Sequence, residues 1–298
     1  MTEHDSREFV VEVSGLSRRF GRKDALKEVS LRVARGQVFG LVGENGAGKT
    51  TLIQHLLGAY RPKAGMVRVF GLDPSTHPTA VLARIGYLSE DRDLPRWMRV
   101  GELMRYTRSF YPKWDAAFAE QLREEFGLPA ASRIRSLSRG ELARAGLLVA
   151  LAHRPELLLL DEPSSGLDAV ARQHILAAVV RTVAEEGRTV IFSSHLLEEV
   201  ERVADHVAMI HHGRVALDAP MDEVKARHHA HVLRWAEPRA DTPELPGLLH
   251  AVRDGGEWRV LCDGDAAAFR TAAAALGAEV VESSTPTLEE IFVARVGK

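Results

Sequence analysis

Residues 43–50, Gly-Glu-Asn-Gly-Ala-Gly-Lys-Thr, carry more chemistry per position than any other stretch of the chain. They match the phosphate-loop spacing, a glycine and four residues before Gly-Lys-Thr. Glycines let successive main-chain N–H groups turn inward around phosphate oxygens with no Cβ in the way. The helix that follows brings the positive end of its dipole to the same place. Lys49 is then expected to reach the β- and γ-phosphates of a nucleotide, and the Thr50 hydroxyl to ligate Mg2+. The expected phosphate-binding set is Gly43, Glu44, Asn45, Gly46, Ala47, Gly48, Lys49, Thr50 and Thr51. A glycine turn that merely joins a strand to a helix is the bland alternative. The apolar run 38–42 before the loop and the helical pattern from Lys49 onward meet the context that nucleotide binding requires.

A second run, 157–163, is four leucines followed by Asp161, Glu162 and Pro163. Adjacent carboxylates at the end of a buried strand point in different directions. One can hold a metal ion while the other faces a water, the division of labour that hydrolysis needs. Asp161 is expected to be the magnesium residue and Glu162 the general base. A third stretch, Leu137-Ser138-Arg139-Gly140-Glu141, stands just before a helix rich in alanine and leucine, where Ser138 reads first as an N-cap.

Positioning these groups needs an α/β core. Residues 10–13 and 31–33 alternate apolar and polar, as half-buried strands do, with a turn at 22–24. Apolar strands are expected at 38–42, 85–88, 157–160 and 190–192, separated by helix-like stretches, so the natural solution is a mainly parallel sheet covered by helices. Residues 206–210 and 214–217 read as a closing hairpin through His212-Gly213. From about 91 to 154 the pattern is helical and rich in aromatics, a helical subdomain inserted in the core. After 226 the texture changes, and Pro238, Pro243 and Pro246 punctuate a polar stretch. The expected division is therefore 1–226 and 227–298, the second a small α+β appendage with a hairpin at 248–262, helices at 266–276 and from 288, and a strand ending at 281.

Composition narrows the function classes. The 298 residues carry a formal net charge of -2, with 27% charged residues, so no bulk attraction to nucleic acid or anionic lipid is expected. Cys262 is the single cysteine, which excludes an intrachain disulfide. The charged start, 1–8, does not lead into an apolar run of signal-peptide length, and no apolar stretch approaches the ~20 residues of a spanning helix. If the chain drives transport, the pore lies in another chain.

Taken in order, these segments resemble the ABC-type ATPase family over about 10–227. Phe20 lies where the family places the aromatic that stacks on adenine. The phosphate loop follows, then Glu90 at a loop where most members have glutamine, the signature 137–141, the Asp161-Glu162 strand end, the 165–168 loop, and His195 after two serines. The resemblance implies a P-loop NTPase fold with an N-terminal antiparallel β part. It implies a dimer, of two copies or with a paralogous ATPase subunit, that sandwiches ATP and Mg2+. Ser138 and the Gly140 amide would contact the γ-phosphate of the partner's nucleotide and His195 that of its own, while Glu162 polarises the attacking water. Glu90 joins Thr50 and Asp161 as an implied metal contact, and Asp168 helps tie the two sites together. Arg139 and Glu141 depart from the commonest signature residues, glycine and glutamine. Glu90 departs too: a carboxylate can meet Mg2+ but cannot donate an amide hydrogen bond.

The phrases 97–100 and 111–115 and the ending 287–292 resemble bacterial ABC-2-type exporter ATPases. That implies export through a separate membrane permease, with the chain cytoplasmic and peripheral on the inner face of the membrane. The alternatives are a soluble ABC ATPase acting on nucleic acid or ribosomes, and a nucleotide-gated regulatory module. Against the first stand one ATPase module, one cysteine and no heptad run; against the second, intact Lys49, Asp161, Glu162 and His195. No nucleic-acid partner is expected. His228, His229 and His231 are expected to be a solvated or interfacial cluster and not a metal site, because no acidic or cysteine partner is near in sequence. Of Tyr106, Phe110, Tyr111 and Trp114, most are expected in the core of the helical subdomain.

Overall fold

Strand β1 (Phe9–Phe20) turns at Gly21-Arg22 into β2 (Lys23–Ala34), and the two pair antiparallel along twelve residues each. The chain then enters a second sheet with β3 (Val38–Val42), passes through helix α1 (Lys49–Leu56), and returns to pair β4 (Ala64–Val69) with β1. Both hairpin strands run well past the short segments expected, because bulges along β1 let charged positions continue the ladder outside the apolar pattern. The computed structural model describes residues 9–237 and 241–297, and for 179 and 181–186 the main chain only. The charged residues 1–8 and Pro238 lie outside the described residues.

Helix α2 (Pro78–Leu82) leads to β5 (Ile85–Leu88), and α3 (Val100–Arg108), α4 (Ala116–Glu125) and α5 (Arg139–Leu151) fill the segment expected to be helical. Strand β6 (Leu157–Leu160), helix α6 (Ala169–Glu186), strand β7 (Thr189–Ser194), helix α7 (Leu197–Val203), and strands β8 (His206–His211) and β9 (Arg214–Pro220) follow. These strands form a sheet in the order β5-β6-β7-β3-β8-β9, parallel from β5 through β8. Every residue of β3, β6 and β7 is buried, which is why β3, β6 and the middle of β7 read as continuous apolar runs and not alternating ones; the polar ends of β7, Thr189, Ser193 and Ser194, are buried on hydrogen-bond partners.

The register brings the strand ends level. Leu88 pairs with Leu160, Leu160 with Phe192, and Val42 with Ser194. The loops that leave β3, β5, β6 and β7 therefore open at one carboxyl edge of the sheet, where ligands of open α/β sheets bind.

Helix α5 lies against β5 at unusually close range. A Cβ on Gly86 would stand 2.1 Å from the Ala150 carbonyl oxygen, and one on Gly146 2.5 Å from Leu88 Cδ1. Just past α5, His153 is 2% exposed, stacks on Tyr111 at 3.8 Å, and donates from Nε2 to the Ile85 carbonyl at 3.0 Å. Tyr111 is thus half-buried, but Tyr106 and Phe110 are exposed, at 49% and 62%. That corrects the expectation of a shared aromatic core: Tyr106 sits off the Val100–Leu103 stripe, and Phe110 falls beyond the end of α3.

The chain divides into two units, one through Asp218 and one from Ala219; the expected cut at 226/227 falls within the second, at the end of α8 (Met221–Arg227). Beyond it, β10 (His228–Trp235), β11 (Leu248–Asp254), β12 (Glu257–Asp263) and β13 (Ala278–Ser284) make an antiparallel sheet in the order β11-β12-β10-β13. Helix α9 (Ala266–Ala275) packs Phe269 and Ala273 onto Leu233, Trp258, Val260 and Cys262. The last helix is α10 (Leu288–Val296).

Two of the three clustered histidines, His228 and His231, are buried and not solvated, which corrects the expectation for them; His229 is half-buried. His228 is 1% exposed, donates from Nδ1 to the Val224 carbonyl at 2.7 Å, and accepts from Arg295, which also reaches Asp263. His231 is 4% exposed, bonded to Ser283 and stacked on Phe269. Strand β10 hid in the sequence for the same reason: its inward positions include histidines, which no apolar pattern counts. Among the described residues no group of His, Cys, Asp and Glu is arranged to hold a metal ion on its own, and no helix is long and apolar enough to cross a membrane.

Two outcomes are expected. Gly86→Ala lowers stability by about 1–3 kcal/mol in a denaturant titration, since the clash is with main chain. Burial pushes His153 down to about 4, from the 6.5 of an open histidine. Between those values the unfolded chain binds a proton that the folded chain refuses, so stability falls as pH drops from 6.5 to 4, by about 3 kcal/mol. A His153→Phe variant flattens that limb of the stability–pH curve.

Candidate functional site

The phosphate loop follows β3 because the strand must end where its N–H groups can turn to a ligand. Gly48 has φ 120°, and a Cβ there would lie 2.5 Å from the Ala25 carbonyl oxygen, so only glycine brings the loop this close to β2. A cleft of about 400 Å³ opens beside it, lined by Phe20, Lys23, Asn45, Gly46, Gly48, Lys49, Thr50, Thr51, Glu90 and Glu162. That volume lies within the usual span for small-molecule sites.

Lys49 is the first side chain of α1 and is 5% exposed. Its ammonium donates to the Gly43 carbonyl at 2.5 Å and the Glu44 carbonyl at 3.2 Å, and stands 3.0 Å from Glu162 Oε1. The other oxygen of Glu162 accepts from His195, at 2.7 Å from Nδ1 and 3.3 Å from the main-chain N. Glu162 itself is held at φ 47°, in the left-handed region that costs a non-glycine residue about 1–3 kcal/mol.

Ser193 is the device that separates the two neighbouring carboxylates. Its hydroxyl accepts from Glu162 N at 2.9 Å and donates to Asp161 Oδ1 at 2.7 Å. Asp161 is 1% exposed, and burial pushes its carboxyl up, against the pull of hydrogen bonds from Ser193 and Thr50. Glu90 is also pushed up, first by partial burial and then by Glu162, Asp161 and Asp91. Three carboxylates share one edge, where burial and then neighbouring negative charge make Asp161 and Glu90 costlier to ionise, and the Thr50 hydroxyl bonds to Asp161. A hard divalent cation fits that donor set, since it prefers oxygen ligands and relieves the repulsion.

Phe20 ends β1 and lines the cleft while 42% exposed. Its ring meets Tyr60 edge-on at 5.6 Å, and the Arg18 guanidinium lies 4.7 Å from both rings, so the face left open is held in place. Ser138 and Gly140 are not among the lining residues. Ser138 caps α5 in a reciprocal box: Glu141 N donates to its hydroxyl, and the Glu141 carboxylate accepts from Ser138 N at 2.8 Å and from its hydroxyl at 2.7 Å. The glutamate that departs from the commonest signature thus has a local task at the helix start. Asp168 caps α6, accepting from Ala171 N at 2.9 Å.

The structure therefore gathers Phe20, the phosphate loop, Glu90, Asp161, Glu162 and His195, and keeps Ser138 and Gly140 apart on the start of α5. Sequence reading missed Lys23, whose ammonium would stand 3.3 Å from a Cβ on Gly46, and Ser193 as the link between the carboxylates. The signal for Lys23 was its place three residues after Phe20, on the far side of the same turn. Ser193 had only a strand end facing Asp161 across the sheet, which needs the register to be known.

The sequence pattern of the family described as "ABC transporter" matches residues 26–165. The ABC transporter ATP-binding protein YtrB of Bacillus subtilis is 31% identical over 74% of this chain and 75% of its own length. The daunorubicin resistance ATP-binding protein DrrA3 of Streptomyces coeruleorubidus is 37% identical over 72% of this chain and 70% of its own. Among solved structures, one titled "Structure of ATP binding subunit of ABC transporter" superposes with a TM-score of 0.67 at 28% identity, covering 72% of this chain and 92% of that one.

One measurement checks the carboxylate geometry. Ser193→Ala leaves the buried Glu162 N–H without its acceptor and strips a donor from Asp161; stability is expected to fall by about 1–3 kcal/mol in urea titration.

Proposed function

Because the chain belongs to the ABC transporter ATP-binding subunits and is by that membership an ATPase, we propose that Lys49, Asp161, Glu162 and His195 carry the hydrolysis and that its work is export through a separate membrane permease. The observation that carries the site reading is the Glu162 carboxylate, gripped between Lys49 and His195 at the edge of the cleft.

The phosphates of ATP enter against the loop 43–51, and Lys49 turns from Glu162 to the β- and γ-oxygens. That exchange keeps its charge paired throughout and leaves Glu162 Oε1 free to face a water. Glu162 takes a proton from that water as its oxygen bonds the γ-phosphorus and the bond to the β–γ bridging oxygen breaks, releasing ADP and phosphate, and His195 holds the carboxylate from the other side and meets the γ-phosphate. The adenine stacks on the open face of Phe20. Thr50, Asp161 and Glu90 would hold Mg2+, which would supply neutralisation of the phosphate charge. Ser138 and the Gly140 amide, at the dipole-positive start of α5, face outward and suit a phosphate presented by a second ATPase subunit. Export is supported by likeness to proteins named for daunorubicin resistance and, at 29% identity in Bacillus licheniformis, bacitracin transport. The work place that follows is the cytoplasmic face of the membrane, beside the permease.

Glu162→Gln keeps ATP affinity, holds the nucleotide-bound dimer longer, and lowers steady-state ATP turnover by about 100-fold or more, as loss of a general base does. Turnover at the wild-type rate would remove Glu162 from the role. Purification of the tagged chain from solubilised membranes is expected to bring down an integral permease, and recovery without one would remove the transport reading.

A further inference from the structure

The residues that follow Glu162 carry an unusual number of constraints. Glu162 sits at φ 47°, and a carboxylate on a main chain in that region keeps its direction only if the flanking peptides cannot relax. Within 162–165 the polar groups are taken up in turn. Glu162 N donates to Ser193, Glu162 O accepts from Ser165 N at 3.1 Å, and the Ser164 hydroxyl donates to Glu199 Oε2 at 2.6 Å. The carbonyls of Pro163 and Ser165 both accept from one atom, Arg92 Nη2, at 3.1 and 2.7 Å.

Arg92 comes from the loop after β5, two residues beyond Glu90 and 71 residues before Pro163. Its side chain is 8% exposed, and its own main chain is left-handed at φ 49°. A tight turn holds it there, with Arg92 N donating to the Ser89 carbonyl and Leu94 N donating to that of Arg92. On the opposite side of the segment, buried Glu199 collects Ser164 and Ser194 and faces Arg172 at 3.1 Å. Farther along, the Arg139 guanidinium would lie 3.3 Å from a Cβ on Gly166.

We propose that Arg92 is a positioning residue of the hydrolytic site. It fixes the main chain at Pro163 and Ser165, sets the direction of the Glu162 carboxylate, and transmits movement of the Glu90 loop to it. The inference rests on Glu162 being the base.

The test uses the full chain in steady-state ATPase assays, with binding of a fluorescent ATP analogue and thermal melts alongside. Arg84→Gln serves as the control. Arg84 makes a two-pronged ion pair with Glu156, at 2.8 Å on each prong, just before β5 begins and so at the end away from the site. Arg92→Gln is expected to keep nucleotide affinity and KM within about twofold while kcat falls by about 10- to 100-fold, the scale of a displaced catalytic group. Arg92→Lys, with one ammonium within reach of the same carbonyls, recovers part of that loss. Arg84→Gln lowers the melting temperature and leaves kcat within about twofold. A wild-type kcat in both Arg92 variants overturns the proposal, as does a fall in kcat matched by Arg84→Gln. Wild-type turnover by Glu162→Gln would instead reject the base assignment, so the two failures are told apart.

Discussion

The ion pair between Lys49 and Glu162, each about 5% exposed and 3.0 Å apart, is the constraint on which the site is built. Two charges this deep pay heavily in desolvation, and removing either would strand the other. They are kept because each has further partners. The lysine donates to two loop carbonyls and the glutamate accepts from His195, so neither charge depends on the other alone.

Everything around the pair follows from strand register. Lys49 hangs from the loop after β3, Glu162 from the end of β6, His195 from the end of β7 and Glu90 from the end of β5, and parallel pairing brings those ends to one edge. The close approach of α5 to β5, possible because Gly86 and Gly146 lack side chains, ties the helix that carries Ser138 to the strand that carries Glu90. The second unit is organised by different means: a cluster of buried His228 with half-buried Arg295 and Asp263 fastens its last helix to the start of β10.

The departures from the commonest family residues acquire physical meaning in three dimensions. Glu141 closes a capping box on Ser138, and Arg139 stands over Gly166. Glu90 adds a third carboxylate to an edge already holding Asp161 and Glu162, which raises the negative potential available to a divalent cation.

Local chemistry was legible without coordinates. The phosphate loop, the Asp161-Glu162 strand end and the N-cap at Ser138 each depend on a few neighbouring residues, whose spacing is itself the physical cause. Continuous apolar runs announced the central strands for the same reason, since burial on both faces favours apolar side chains wherever no hydrogen-bond partner is at hand. The chain order of the motifs was enough to assign the family. What escaped were contacts between residues far apart in sequence. Ser193 between two carboxylates, Lys23 beside the loop, Arg92 on the Pro163 and Ser165 carbonyls, and the buried histidines of β10 all involve polar side chains whose partners come from another strand or loop. A histidine or arginine has the same letter whether solvated or sealed inside. Only the packed structure, by fixing which groups lose water and which partner replaces it, decides between the two.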